Sequence, residues 1–156
     1  MHPHAELIDH FYASFKRRDG AAMAACYAPD ARFHDPIFDL QGADVGAMWT
    51  MFCERGRDLV LAWRDVRADD AGGSAHWEPR YTFSVTGRPV HNVIDSRFTF
   101  RDGKIATHAD TFDLWRWSRM ALGLKGALLG WTPFVQKAIR SEARRGFDGW
   151  LARRGP

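Results

Sequence analysis

Cysteine is scarce in this chain of 156 residues: Cys26 and Cys53 stand alone and form no CxxC pair. That arrangement removes a disulfide framework or a cysteine zinc site from consideration. Long apolar runs are missing as well. The longest, Ala121–Trp131, is interrupted by Lys125 and three glycines and falls short of the ~20 residues a bilayer span needs. The first residues, MHPHAELIDHF, carry neither a basic n-region nor an apolar h-region, so a secretory signal is not expected. Internal repeats, low-complexity tracts and linkers are also absent. A reduced, cytoplasmic, soluble protein of one domain is the expectation.

What is abundant is aromatic and apolar. Seven tryptophans, 13% aromatic and 46% hydrophobic residues argue for a packed core rather than disorder. The net charge of +3 conceals an asymmetry: residues 1–115 hold 13 Lys/Arg against 17 Asp/Glu, and residues 116–156 hold nine against two. The basic pI therefore belongs to a tail, which argues against the body as a nucleic-acid binder.

Leu7, Ile8, Phe11, Tyr12 and Phe15 recur at helical spacing within Ala5–Arg18, and Asp19 can cap a second short helix over Ala21–Tyr27. Pro29-Asp30 reads as a turn before a short strand that Pro36 stops. Gly42 opens a third helix with a stripe of Val45, Met48, Trp49 and Phe52. From Leu59 the period changes to two. Leu59–Asp70, Ala75–Thr86, Pro89–Arg101 and Lys104–Trp117 are strand candidates at hairpin spacing, so a curved antiparallel sheet is expected. Helix returns after Trp117. Thr132-Pro133 begins a segment whose stripe is Val135, Ile139, Ala143, Phe147 and Trp150/Leu151. Helices, then strands, then helices give an α+β layer arrangement.

The stretch FTFRDGKIATHADTFDLWRW, Phe98–Trp117, carries the chemistry. Side chains two apart on a strand share a face, so His108, Asp110 and Phe112 lie together. The hairpin register decides what they face. With Asp102-Gly103 as a plain two-residue loop, Phe98 pairs with Thr107 and His108 sits on a polar face beside Arg97. With Gly103 as a bulge, Ser96 and Phe98 join His108 and Asp110 on an inner face. On that inner face Trp77, Tyr81, Asn92, Ser96, Phe98 and Phe112 would line an apolar pocket with helix residues Phe11 and Trp49, and Asp35 would stand at its rim. His108-x-Asp110 also has the spacing of a facial-triad iron site. No histidine follows His108, so no metal is expected.

The segments YAPDARFHDP (Tyr27–Pro36) with Gly42, and FRDGKI (Phe100–Ile105) leading into HADTFD (His108–Asp113), resemble the NTF2-like superfamily. That group includes ketosteroid isomerases, limonene epoxide hydrolases and SnoaL-type polyketide cyclases. The resemblance covers roughly residues 5–117. It implies a cone-shaped α+β barrel over 1–117, its curved antiparallel sheet packed on the N-terminal helices, with a C-terminal helical extension over 118–156 packed on the same domain. By the same resemblance Asp35 matches the general base of the isomerases and Asp110 the catalytic aspartate of the cyclases. The isomerase oxyanion donors fall on Phe11, with Tyr12 beside it, and on Ser96, which argues against steroid isomerisation. The Arg-x-Asp pair of the epoxide hydrolases is replaced by the uncharged face of WEPRYTF.

These residues point to a small-molecule-binding protein. If it is an enzyme, it is a cofactor-free acid/base catalyst of isomerase, cyclase or dehydratase type. Asp35, His108 and Asp110 would then be catalytic on an apolar, carbonyl-containing substrate. The alternative is a non-catalytic ligand-binding or dimerisation module. The expected partners are a small apolar or aromatic ligand and, by resemblance, a second copy of the chain across the outer sheet face. Nucleic acid and membrane are not expected.

Overall fold

The computed structural model describes residues 1–155; residue 156, the last of the expected C-terminal extension, lies outside them. Helix α1 (Pro3–Lys16) buries Ile8, Phe11, Tyr12 and Phe15, the stripe its sequence spacing predicts. Helix α2 (Gly20–Ala25) is capped by Asp19, whose carboxylate accepts from Ala22 N at 3.0 Å. Helix α3 (Ala43–Arg55) follows Gly42, whose φ of 67° favours a residue without a Cβ.

Seven strands form one sheet: β1 (Tyr27–His34), β2 (Asp39–Gln41), β3 (Val60–Ala68), β4 (Gly73–Phe83), β5 (Arg88–His91), β6 (Ile94–Arg101) and β7 (Lys104–Thr111). The order is β2-β1-β7-β6-β4-β3, with β5 also on β4. The expected all-antiparallel sheet is corrected at one place: β1 runs parallel to β7, with Phe33 opposite His108. Pro29-Asp30 is not a turn but lies inside β1, where the register shifts between Tyr27 and Arg32. The strand expected over Pro89–Arg101 is divided at Asn92-Val93. Its two halves keep one register on β4, with Arg80 opposite His91 and Trp77 opposite Ile94. Pro79 lies across this gap and has no N–H to give, so the ladder lapses there without slipping.

The strand expected over Lys104–Trp117 ends at Thr111. Asp113 then caps helix α4 (Leu114–Leu122), accepting from Arg116 N at 3.0 Å. Helices α5 (Leu124–Leu129) and α6 (Pro133–Arg154) complete the chain. α6 sends Phe147 and Trp150 into the main core, and Val135 is buried as its stripe predicts. A second cluster of Val90, Leu114, Trp117 and Ala121 sits beneath α4. Ile37 and Phe112 pack on both clusters and mark where the inside of the sheet meets the C-terminal helices.

Candidate functional site

The β6–β7 hairpin settles the face of His108. Arg101 pairs with Lys104, and Asp102 (φ 53°) and Gly103 (φ 74°) form a two-residue turn with both central residues left-handed. Alone, that turn would set Phe98 against Thr107. The register shifts by one between Thr99 and Phe100, because Ala106 is an extra residue on β7, so Phe98 faces His108 and Ser96 faces Asp110. The inner-face register is the one adopted. The bulge that produces it lies at Ala106, not at Gly103.

His108 and Asp110 are 1% and 3% exposed. The His108 ring is enclosed by Phe98 (4.3 Å between centroids), Phe33 (5.0 Å), Phe11 (5.7 Å) and Trp49 (5.9 Å, stacked). A chain of hydrogen bonds threads these rings, and its direction is set by groups that can only donate. Trp49 Nε1 donates to Tyr27 Oη at 2.8 Å. Tyr27 O–H then donates to His108 Nδ1 at 2.7 Å, leaving Nε2 to carry the ring proton and donate to Asp110 Oδ1 at 2.8 Å. From the other side Ser96 Oγ donates to the same Oδ1. Ser96 Oγ in turn accepts from Trp77 Nε1 at 2.9 Å and from Tyr12 Oη at 2.7 Å. Burial, reinforced by the charge of Asp110, pushes both phenols well above their ordinary pKa, so they remain donors.

These hydrogen bonds to Asp110 all end on Oδ1, and no fully buried side-chain polar atom among the described residues lacks a partner. Oδ2, which takes no hydrogen bond, therefore keeps a little accessible surface. The same reasoning applies to Asn92. Its Oδ1 accepts from Val93 N at 3.1 Å, and its amide N–H groups are left over.

Asp35 is held by a different device. Its Oδ1 accepts from Ile37 N at 2.7 Å and Phe38 N at 2.6 Å, and its own N–H bonds Phe38 O at 2.9 Å. The turn is clamped from α6, where Arg140 Nε donates to Pro36 O at 2.8 Å. Asp35 keeps some contact with solvent yet is densely surrounded. Burial pushes its carboxyl up to about 7 against the pull of the two backbone N–H groups, and the charge of Asp110 adds to the rise. Burial pushes the Tyr81 phenol up, the hydrogen bond its hydroxyl accepts from Trp117 Nε1 at 2.9 Å pulls it back, and the charge of Asp35 adds to the rise. The charge of Asp110 thus bears on Asp35, and that of Asp35 on Tyr81.

The structure divides the sequence-expected residues into two groups. Phe11, Trp49, Trp77, Ser96 and Phe98 surround the His108–Asp110 pair inside the packed core. Tyr81, Asn92, Phe112 and Asp35 lie toward the C-terminal helices. The interior around His108 is filled by rings rather than open. A hollow of about 240 Å3 lies along β1 and β7 where Phe33 pairs with His108, lined by those two with Arg32, His34, Asp39, Thr107 and Ala109. Tyr27, which bridges Trp49 to His108, is not among the expected site residues; the sequence places it at the end of a helix, and it opens β1 instead. Its direction was hidden because the strand was expected to begin only after Pro29-Asp30.

The SnoaL-like domain model matches residues 8–108. No curated protein sequence matches the chain. Among solved structures, an NTF2-like protein from Burkholderia pseudomallei shares 21% identity, covers 78% of this chain and 98% of its own, and superposes with a TM-score of 0.66. A protein from Catenulispora acidiphila with a ketosteroid isomerase-like fold, in complex with trimethylamine, is 13% identical over 82% of this chain and 98% of its own (TM-score 0.67). TerC, co-crystallised with polyporic acid, is 20% identical over 78% and 99% (TM-score 0.65).

Proposed function

This chain belongs to the SnoaL-like domain family and has an NTF2-like fold, and on that premise we propose that it binds a small, mostly apolar molecule between Asp35 and Asp110 and moves a proton on it. The observation that carries this reading is the setting of Asp35: two backbone amides anchor its Oδ1 in a turn that keeps some solvent contact, and burial pushes the carboxyl up to about 7. A carboxyl in that range both accepts and releases a proton near neutrality, which an ordinary aspartate does not. The backbone amides hold Oδ1, so Oδ2 is the oxygen left for the ligand.

Asp110 has a different part in this reading. Fixed through Oδ1 by Ser96 and His108, it offers Oδ2 as an acceptor for a ligand hydroxyl, phenol or ammonium. His108 and Tyr27 position it, and Asn92 supplies N–H donors for a ligand oxygen. The groups flanking this space are carboxylates, a phenol and an amide, which favours a neutral or cationic ligand over an anion. Small organic ligands are also what TerC and the Catenulispora protein hold. The reaction class is isomerisation, cyclisation or dehydration without a cofactor. The C-terminal helices form part of the same domain and cover the ligand space. A homodimer through the outer sheet face, in the cytoplasm, completes the proposal.

Native mass spectrometry of protein purified from its host tests for a retained small molecule. With that molecule as substrate, Asp35→Asn abolishes turnover and preserves binding, and Asp110→Asn weakens binding. Unchanged turnover in both variants overturns the catalytic reading.

A further inference from the structure

The C-terminal helices carry a surface that the proposed site does not use. Helix α5 packs on α4 through glycines, not leucines. A Cβ on Gly126 would lie 1.9 Å from Ser118 O, and one on Gly130 would lie 1.9 Å from Ser118 Oγ. The small residues face inward because the helices approach so closely, and the leucines are turned out. Leu124, Leu128 and Leu129 are 75%, 62% and 47% exposed, and Trp131 and Phe134 beyond them are 61% and 83% exposed. Val85, 78% exposed, lies on the β4–β5 loop. That loop and the first residue of β5 are tied to the end of α4 by Thr86 Oγ1 on Ala121 O and Arg88 Nε on Met120 O.

So large an apolar exposure on one short segment calls for a partner, and the charge around it says which. From Leu114 to Ser141 the chain holds five Lys/Arg and no Asp or Glu, although residues 1–115 are net acidic. Arg119, Lys125 and Lys137 are exposed around the patch, and Arg119 lies over the Trp115 ring at 4.7 Å. A second copy meeting this surface face to face would set these cations against one another. An anionic bilayer satisfies both halves: exposed Trp, Phe and Leu enter the headgroup–acyl boundary while the basic rim meets lipid phosphates.

We propose that α5 and the first turn of α6 form a peripheral contact with the surface of an anionic phospholipid bilayer. No helix of the described residues is long and apolar enough to cross a membrane, so the contact lies on the surface. In the sequence the glycines count against a membrane partner, since with Lys125 they interrupt the longest apolar run. In the fold those same glycines are what turn the leucines outward.

The test is flotation of the full chain with phosphatidylcholine vesicles, with and without about a quarter phosphatidylserine. Wild-type protein floats with the anionic vesicles and not with the neutral ones, and raising salt from ~0.05 to ~0.5 M releases most of it. The double variant Trp131→Ser/Phe134→Ser, at positions too exposed to carry the fold, lowers the bound fraction about tenfold with an unchanged circular dichroism spectrum. Protein that stays in solution with anionic vesicles at low salt overturns the proposal. So does a dimer in sedimentation velocity that the same double variant dissociates without any effect on flotation.

Discussion

Replacing Asp35 by asparagine should make the protein more stable at neutral pH while removing its proton-transfer group. The folded carboxyl moves from an ordinary 3.8 to about 7. A group raised in this way leaves stability fully present below about pH 4 and withdraws it as pH climbs toward 7, because only the unfolded chain ionises freely across that window. At 1.36 kcal/mol per tenfold change in acidity the loss is at most ~4 kcal/mol. Since Asp35 retains some solvent contact, about 2–4 kcal/mol is the working figure. Asparagine keeps an Oδ1 to accept from Ile37 N and Phe38 N, so the turn survives and only the charge is lost. Urea unfolding followed by tryptophan fluorescence at about pH 5 and about pH 8 measures this directly. Other titrating groups contribute equally to both proteins, so the difference between the two pH slopes isolates Asp35. Wild-type protein should lose about 1–2.5 kcal/mol more than Asp35→Asn across the interval, because part of the total loss is already complete at pH 5. Parallel slopes, or a variant less stable than wild type at pH 8, would refute the assignment of Asp35 as a carboxyl held protonated by its surroundings.

Three further expectations concern the hydrogen-bond network and the packing. Ser96→Ala deprives Asp110 of a donor and leaves Trp77 N–H and Tyr12 O–H without their buried acceptor. Chemical denaturation should show a loss of about 2–5 kcal/mol, and a loss below ~1 kcal/mol would mean the network reorganises freely. Gly126→Ala forces α5 away from Ser118 and should cost about 1–3 kcal/mol with increased protease cleavage near the α4–α5 junction. Leu128→Ala, on the exposed side, should change stability by less than ~0.5 kcal/mol.

Alternation and helical spacing made most elements legible, because α1, α3 and β4 each bury one face by a regular period. What they obscured were the places where the period is broken. Ala106 shifts the β6–β7 register after a regular turn, and nothing local distinguishes Ala106 from its neighbours. The irregularity inside β1 hid the direction of Tyr27 in the same way. The parallel pairing of β1 with β7 joins residues some 75 positions apart in the chain, beyond the reach of any hairpin rule. Asp113 is both a strand-end polar residue and a good helix cap, and capping prevails because α4 can then bury Leu114 and Trp117.

The site was legible as residue types and not as roles. His108 and Asp110 look in sequence like an acid/base pair, but the fold gives each nitrogen of His108 a partner and gives Asp110 Oδ1 two. A histidine caged by four aromatic rings has little room to shuttle a proton to a ligand. Any move of its ring would strip Tyr27 and Asp110 of partners in surroundings where an unpaired polar group costs ~1–3 kcal/mol. The pair therefore suits fixing a charge in place better than exchanging one. Asp35 has the opposite properties: one oxygen anchored by amides, some solvent contact and a carboxyl at about 7. On the reading proposed above, proton exchange falls to the aspartate in the turn, and the charge of Asp110 on the His108–Asp110 strand adds to the rise that burial imposes on its carboxyl.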